Sequence, residues 1–372
     1  MSAQWVLGPG LVMAFVVGLC LVISYFIPRL TRPDIYFAVT VPPQFRDSEE
    51  GRSILKRYRV EATIFGVLAL LIVLAAVRIP ESNYLTAVTM AGLLLQVLGV
   101  FLAYYRARGR VLPHAVAPGT VREAALVPRK ARLPGGWLLQ LPPFALLAGA
   151  AIWLRLHWSQ IPEVFPIHWG AHGQPNNWAT RSFAGVYAPL LIGVMLCALM
   201  GFLAYAMLRW SRPIRVGGAA GEGERRFRLL MVSVIVVTEY LLAVMFMWVG
   251  LLPLSHKQTI PAGFIPMLVL WLAFTVVTTV LMMWFGQGGT RSVGSAAAGS
   301  GAAAPVGDRT PDKYWKLGLF YVNRNDPALF VEKRFGLGCT LNLGHPGVWL
   351  FLAVLVAIFV AINFILPSHH HP

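Results

Sequence analysis

Long apolar runs separated by short polar connections set the pattern of this chain. Eight runs read as membrane-spanning helices, at roughly 6–27, 60–79, 84–105, 136–156, 184–208, 229–252, 264–286 and 347–366. An α-helix rises about 1.5 Å per residue, so about 20 apolar residues cross the ~30 Å hydrocarbon layer. The second run is the weakest. Its uncharged part covers only 62–77, between Glu61 and Arg78, whose charged ends must reach toward the headgroups. The first run has no Lys or Arg before Arg29 and exceeds the apolar core of a secretory signal, so it is expected to be a retained helix. The pattern predicts an all-α polytopic membrane protein. No internal repeat is visible, which gives no support to an inverted-repeat transporter.

Three segments break the helical pattern. Residues 28–59 open with Pro28-Arg29-Leu30-Thr31-Arg32-Pro33 and end in a mixed-charge run from Asp47 to Arg59. Asp47 and Ser48 are candidate N-caps, and the run is expected to be an amphipathic linker on the inner membrane surface. Residues 157–183 carry three prolines and Trp158, Trp169 and Trp178. They predict a compact extended loop resting on the bundle, with its tryptophans at headgroup depth. The Gly/Ala/Ser-rich stretch 286–307 reads as flexible. It leads into a small β-ribbon at 311–346, with strands expected at Leu317–Val322, Leu329–Lys333 and Cys339–Leu343 and a turn at Asn323–Pro327. The resulting plan is a four-helix part (1–156), an outer loop (157–183), a three-helix part (184–286), a linker (287–310), the ribbon (311–346) and a last helix with its tail (347–372).

Composition sharpens the class. Of 372 residues, 57% are hydrophobic and 12% charged, against about 25% charged in an ordinary soluble domain, which excludes a soluble globular or a disordered chain. The net charge of +16 would suggest nucleic acid in a soluble protein. Here its placement follows topology. Loops 28–59, 106–135 and 287–346 hold seven basic residues each and loop 209–228 holds six, whereas the alternate connections hold only Arg78, Arg155, Arg181 and Lys257. The positive-inside rule then makes the basic loops cytoplasmic and puts both termini outside. Orientation absorbs the charge, so no direct nucleic-acid binding is expected, and the bilayer is the first partner. Cys20, Cys197 and Cys339 form no CxxC motif, which indicates neither a disulfide framework nor a thiolate zinc site.

Two places can carry chemistry. The outer loop holds His157, Glu163, His168 and His172, with His256 in the next outer connection. Zinc takes three or four such ligands, but Gly170 and Gly173 make His168 and His172 a poor helical pair, and no HExxH occurs. Hydrogen bonding to the loop or to water is the plainer reading of these imidazoles, and no cofactor is expected. Glu239 is the one carboxylate well inside a span. A charge there costs about 2.5–3.5 kcal/mol on the insertion scale. Gln96, Thr275, Thr278 and Thr279 are the candidate hydrogen-bond partners. Glu239 then reads as a proton or substrate site, or as a protonated link between helices. Pro142 and Pro143 are expected to kink the fourth span.

The string Ile161-Pro162…Pro166-Ile167-His168-Trp169…Gly173-Gln174-Pro175…Trp178 resembles the signature loop of the SdpI-like bacterial membrane proteins. That family includes the immunity protein for the sporulation-delaying toxin. Asn176 stands where the family usually carries Asp. The tail from Trp315 to Asn342 resembles a second module found at the C-terminus of such proteins. The resemblance implies a non-enzymatic immunity or sensor protein. His168, Trp169, His172, Gly173, Pro175 and Trp178, together with Glu239, would serve an extracytoplasmic ligand such as a toxin peptide. Trp315, Tyr321, Asp326, Lys333 and Asn342 would serve a cytoplasmic partner such as a repressor. Proton-coupled transport through Glu239 and a metal-dependent membrane enzyme at the outer histidines are the alternatives.

Overall fold

The computed structural model describes residues 4–76, 82–118, 133, 135–170, 174–214, 218–255, 263–291, 308 and 310–365. Among the described residues, eight α-helices form the body: α1 (Gln4–Leu30), α2 (Glu49–Ala76), α3 (Ser82–Val111), α4 (Leu141–Leu156), α5 (Phe183–Trp210), α6 (Gly218–Leu251), α7 (Phe264–Phe285) and α8 (Pro346–Ile365). Seven are long and apolar enough to cross a membrane. The eighth, α8, has 20 residues. The chain is a polytopic α-helical membrane protein.

Two helix groups make up the bundle. In the first, α2 packs against α1 and α3. Its buried stripe runs Ile54, Tyr58, Ala62, Gly66, Ala69 and Val73 at three- to four-residue spacing, and the small members let neighbouring backbones approach. In the second, α6 packs against α5 and α4 around Leu147, Val186, Leu190, Cys197 and Ala243. α7 buries none of its residues and stands at the edge.

Several expectations change here. The mixed-charge run is not a separate surface helix. Ser48 accepts the Gly51 N–H at 3.1 Å, Glu49 and Glu50 fill the first turn, and one helix continues to Ala76. Pro142 and Pro143 do not kink α4. They lie in its first turn, where a missing N–H leaves no intrahelical bond unmade.

Among the described residues, eight short strands form four antiparallel pairs: β1 (Ile35–Tyr36) with β2 (Val39–Thr40), β3 (Val164–Trp169) with β4 (Pro175–Thr180), β5 (Trp315–Lys316) with β6 (Phe320–Tyr321), and β7 (Phe330–Glu332) with β8 (Cys339–Leu341). The ribbon therefore pairs differently from expectation. Its first hairpin turns at Leu317–Leu319, with Leu317 and Gly318 at φ 53° and 75°, and the strand expected over Leu317–Val322 is split. A Cβ on Gly318 would stand 2.3 Å from the Tyr104 hydroxyl, so this turn needs glycine. Parallel bridges Tyr321–Asn342 and Ser211–Phe330 join the hairpins to each other and to the end of α5. The segment expected to be flexible starts in order: Gln287 is buried and exchanges two hydrogen bonds with Gly338, at 2.8 and 2.9 Å. Residues 292–307 lie outside the described residues.

The four basic connections meet at one end of the bundle. Thr40 Oγ1 donates to Asp312 at 2.7 Å, Val116 N–H to Thr40 at 2.9 Å, Tyr104 to the Leu317 carbonyl at 2.9 Å, and Arg212 pairs with Asp326. The outer loop caps the opposite end. Among the described residues, the basic connections thus share one face and the 157–183 loop lies on the other. We call the two ends the basic face and the outer face.

Candidate functional site

At the outer face the 157–183 loop is a β-hairpin. Phe165 pairs with Ala179, and both point inward with Ile161 onto α4, α5 and α6. Trp158 stacks on Tyr187 of α5, with ring centroids 6.1 Å apart. Ser182 caps α5 by accepting the Gly185 N–H at 3.1 Å, so the hairpin runs straight into that helix. The expectation of an ordered loop resting on the bundle is met.

The outer side chains are placed individually. His168 is exposed, and its Nδ1–H donates to Asn176 Oδ1 at 2.5 Å. Asn176 is thus the hydrogen-bond partner of His168. Trp169 Nε1 is buried with no hydrogen-bond partner among the described residues. Pro175 faces Trp169 across the strands, and Trp178 faces Pro166. His157 engages the Trp153 carbonyl at 2.9 Å, and Glu163 lies 3.9 Å from Arg181. The structure therefore does not bring His157, Glu163 and His168 together. His172, Gly173 and His256 lie outside the described residues. Among the described residues no three His, Cys, Asp or Glu side chains are grouped to hold a metal.

Glu239 is fully buried in α6. Its partner is not one of those expected from sequence. Gln96 instead donates to the Val17 carbonyl at 2.9 Å, and Thr275 bonds back to Trp271 within α7. Thr278 and Thr279 sit on the same edge helix. The partner is Gln140, which immediately precedes α4. With its amide oriented to satisfy both groups, its nitrogen donates to Glu239 Oε2 at 2.7 Å and Oε1 at 3.3 Å. Gly201 of α5 makes room: a Cβ there would lie 2.8 Å from that Gln140 amide nitrogen and 3.8 Å from Glu239 Oε2. Tyr240, the next residue, donates to the Leu139 carbonyl at 2.6 Å. Three helices converge on one polar pair within the apolar bundle.

The basic face is held by buried charges. Arg334 is 2% exposed. It donates to Asp308 at 2.9 and 3.0 Å, to Asp312 at 2.5 Å, and to the carbonyls of Thr310 and Ala38. Burial alone would raise the Asp308 carboxyl, but the Arg334 guanidinium holds it below the usual range. Asp326 behaves alike: burial raises it, and Arg212 with its hydrogen bonds brings it below the ordinary value. Glu332 goes the other way, raised by burial and by the nearby Glu224. Phe37 and Ala38, at the tip of the β1–β2 hairpin, both hold positive φ, 43° and 61°, without glycine. The carbonyl of Phe37 accepts from Arg108 at 3.1 Å and that of Ala38 from Arg334 at 3.4 Å. The Phe37 ring lies between Tyr58 and Phe335. Packing and two arginines thus fix a turn that only glycine or asparagine adopts readily.

Most residues expected to meet a cytoplasmic partner instead build this layer. Trp315, Tyr321 and Asn342 are buried. Asn342 donates to the carbonyls of Asn323, Asp326 and Ala328 at 2.9, 3.1 and 3.2 Å, and so closes the turn between the two hairpins. Asp326 is bound by Arg212, Tyr321 and the Ala328 N–H. Lys333 is half-buried. The aromatic and polar spacing that looked like a binding motif is the ribbon's own fold.

Bundle and ordered ends define an integral membrane protein with one structured element on each face. Residues 145–193 match a domain of unknown function (DUF1648), and residues 324–349 match a family of unknown function (DUF5808). The first match covers most of α4, the outer hairpin and the start of α5. The second covers β7, β8 and the start of α8. No curated protein and no solved structure is significantly similar to the chain.

Proposed function

We propose that this chain is an SdpI-like sensor or immunity protein of a bacterial inner membrane, acting by binding rather than catalysis. The outer hairpin takes an extracytoplasmic peptide, and the basic-face layer faces the cytoplasm and answers to a protein partner. One observation carries the reading. The two segments that match families sit at opposite ends of a single unbroken helix, α5. Its first turn is capped from the hairpin by Ser182. At its other end, Trp210 accepts the Leu329 N–H at 2.8 Å, and Arg212 N–H bonds the Phe330 carbonyl at 3.2 Å. A shift of the hairpin on α5 is therefore passed to β7 through main-chain bonds. The exposed His168–Asn176 pair offers polar groups to a peptide backbone.

The test is survival. Cells expressing the chain are challenged with the sporulation-delaying toxin peptide. Protection by the wild-type chain, lost in Trp169→Ala and His168→Ala at equal membrane levels, supports the reading. No protection by the wild-type chain refutes the immunity function.

Proton-coupled transport is the second reading, favoured by the buried Gln140–Glu239 pair. Glu239→Gln would then abolish pH-driven flux in proteoliposomes, and unchanged flux removes it.

A further inference from the structure

We propose that the ribbon is a clasp that holds the two helix groups together at the basic face, with Phe335 as its pin. Among the described residues, no helix of α1–α3 packs along a helix of α4–α8. The apolar clusters divide in the same way. Those around Tyr58 and Val17 belong to the first group, and those around Leu147 and Phe227 to the second. Of the described segments, the ribbon alone enters both sides. Phe335 and Leu319 pack into the first group's cluster, and Cys339 packs into the second's.

The ribbon grips each group by different means. Toward the first group it uses side chains. The Phe335 ring centroid lies 4.3 Å from that of Tyr104, 5.8 Å from Phe37 and 6.2 Å from Tyr58. Around this pin, Arg334 donates to the Ala38 carbonyl at 3.4 Å, Thr40 Oγ1 donates to Asp312 at 2.7 Å, and the Tyr104 hydroxyl donates to the Leu317 carbonyl at 2.9 Å. Toward the second group it uses main chain. Leu329 N–H bonds the Trp210 carbonyl at 2.8 Å, the Phe330 carbonyl accepts from Arg212 N–H at 3.2 Å, and Gly338 is held by Gln287. Arg32, just past α1, is a further reach of the first group toward α6. It lines a cavity of about 30 Å³ with Glu224 and Arg228, and the ribbon's Glu332 lines that cavity too.

The turn that receives the pin depends on it. Phe37 and Ala38 hold left-handed φ without glycine. Such a conformation persists only where its surroundings over-determine it. Here the surroundings are Arg108 and Tyr58 of the first group, and Arg334 and Phe335 of the ribbon. Withdrawal of the ribbon removes the donor to the Ala38 carbonyl and the ring stacked on Phe37. The turn then relaxes, so the β1–β2 hairpin reports whether the clasp is closed.

Residues 119–132 lie on the covalent path between the groups. The test inserts a protease site there in the full chain, cuts the folded protein in mild detergent and captures the C-terminal half by an affinity tag. The wild-type N-terminal half should stay bound. Phe335→Ala should raise the released fraction at least about tenfold, as expected for truncating a packed aromatic side chain. It should also speed amide exchange over 35–41, with helical content unchanged before cutting. Phe335→Leu should restore most of the binding. Thr40→Val/Tyr104→Phe changes the first group's side nearly isosterically and should release that half in part, which keeps the test decisive if Phe335→Ala does not fold. Separation of the wild-type halves on cutting overturns the proposal. Full retention in folded Phe335→Ala or in Thr40→Val/Tyr104→Phe also overturns it, because direct helix contacts would then hold the groups.

Discussion

Gln140 donates its side-chain amide to Glu239 at 2.7 Å, tying the start of α4 to the middle of α6 where water is excluded. Removing one member leaves the other without a partner, at a cost of about 1–3 kcal/mol. Gln140→Leu should therefore destabilise the bundle by that amount. Glu239→Gln should cost less, because an amide still pairs with an amide. In thermal unfolding in detergent, the double variant Gln140→Leu/Glu239→Leu should fall short of additivity by roughly 0.6–1.7 kcal/mol. Strict additivity would show that the two side chains do not interact.

Arg334 is a stronger lock. Its loss strands Asp308 and Asp312, and breaking a buried pair typically costs about 3–5 kcal/mol. Arg334→Met should expose the ribbon to limited proteolysis while α5 and α6 stay helical. A ribbon as resistant as in the wild-type chain would mean that the pairs do not hold it.

Asn342 is fully buried and serves three carbonyls. Asn342→Ala should raise amide exchange over 323–328 and destabilise the ribbon by about 1–3 kcal/mol. Asn342→Asp, which lacks the donating amide, should be no better. An exchange pattern unchanged in both variants would count against the bracket.

The charged layer also sets a pH dependence. Asp308 and Asp326 have folded values below their unfolded ones, so their stabilisation is full above about pH 4 and is lost as pH falls through the folded values. Glu332 is raised, so it opposes folding increasingly as pH rises above its unfolded value of about 4.3. Glu332→Gln should thus raise the melting temperature at pH 7–8 and leave it unchanged at pH 4. A variant less stable at pH 8 would reverse the sign and refute the assignment.

Sequence patterning located the helices because a bilayer demands long apolar runs, and charge asymmetry sorted their connections onto two faces. An ordered outer loop was legible from its prolines and tryptophans, but its strand pairing was not. The β1–β2 hairpin was not, because its turn is Phe37-Ala38 rather than Asn-Gly, and tertiary packing supplies what the local sequence lacks. Gln140 was missed because it lies at the edge of a span, where a polar residue looks like a boundary, and no single-chain signal pairs it with Glu239. Trp315, Tyr321 and Asn342 looked like recognition residues because a ribbon this small must bury aromatic and amide side chains to hold its turns.

The most direct test of the account is hydrogen exchange on the full chain in nanodiscs, with and without the sporulation-delaying toxin peptide. Transmission through α5 predicts slower exchange over 164–180 together with a several-fold change over 329–332 and 339–343, and Trp169→Ala should abolish both. Protection of the hairpin with the ribbon amides unchanged would contradict it.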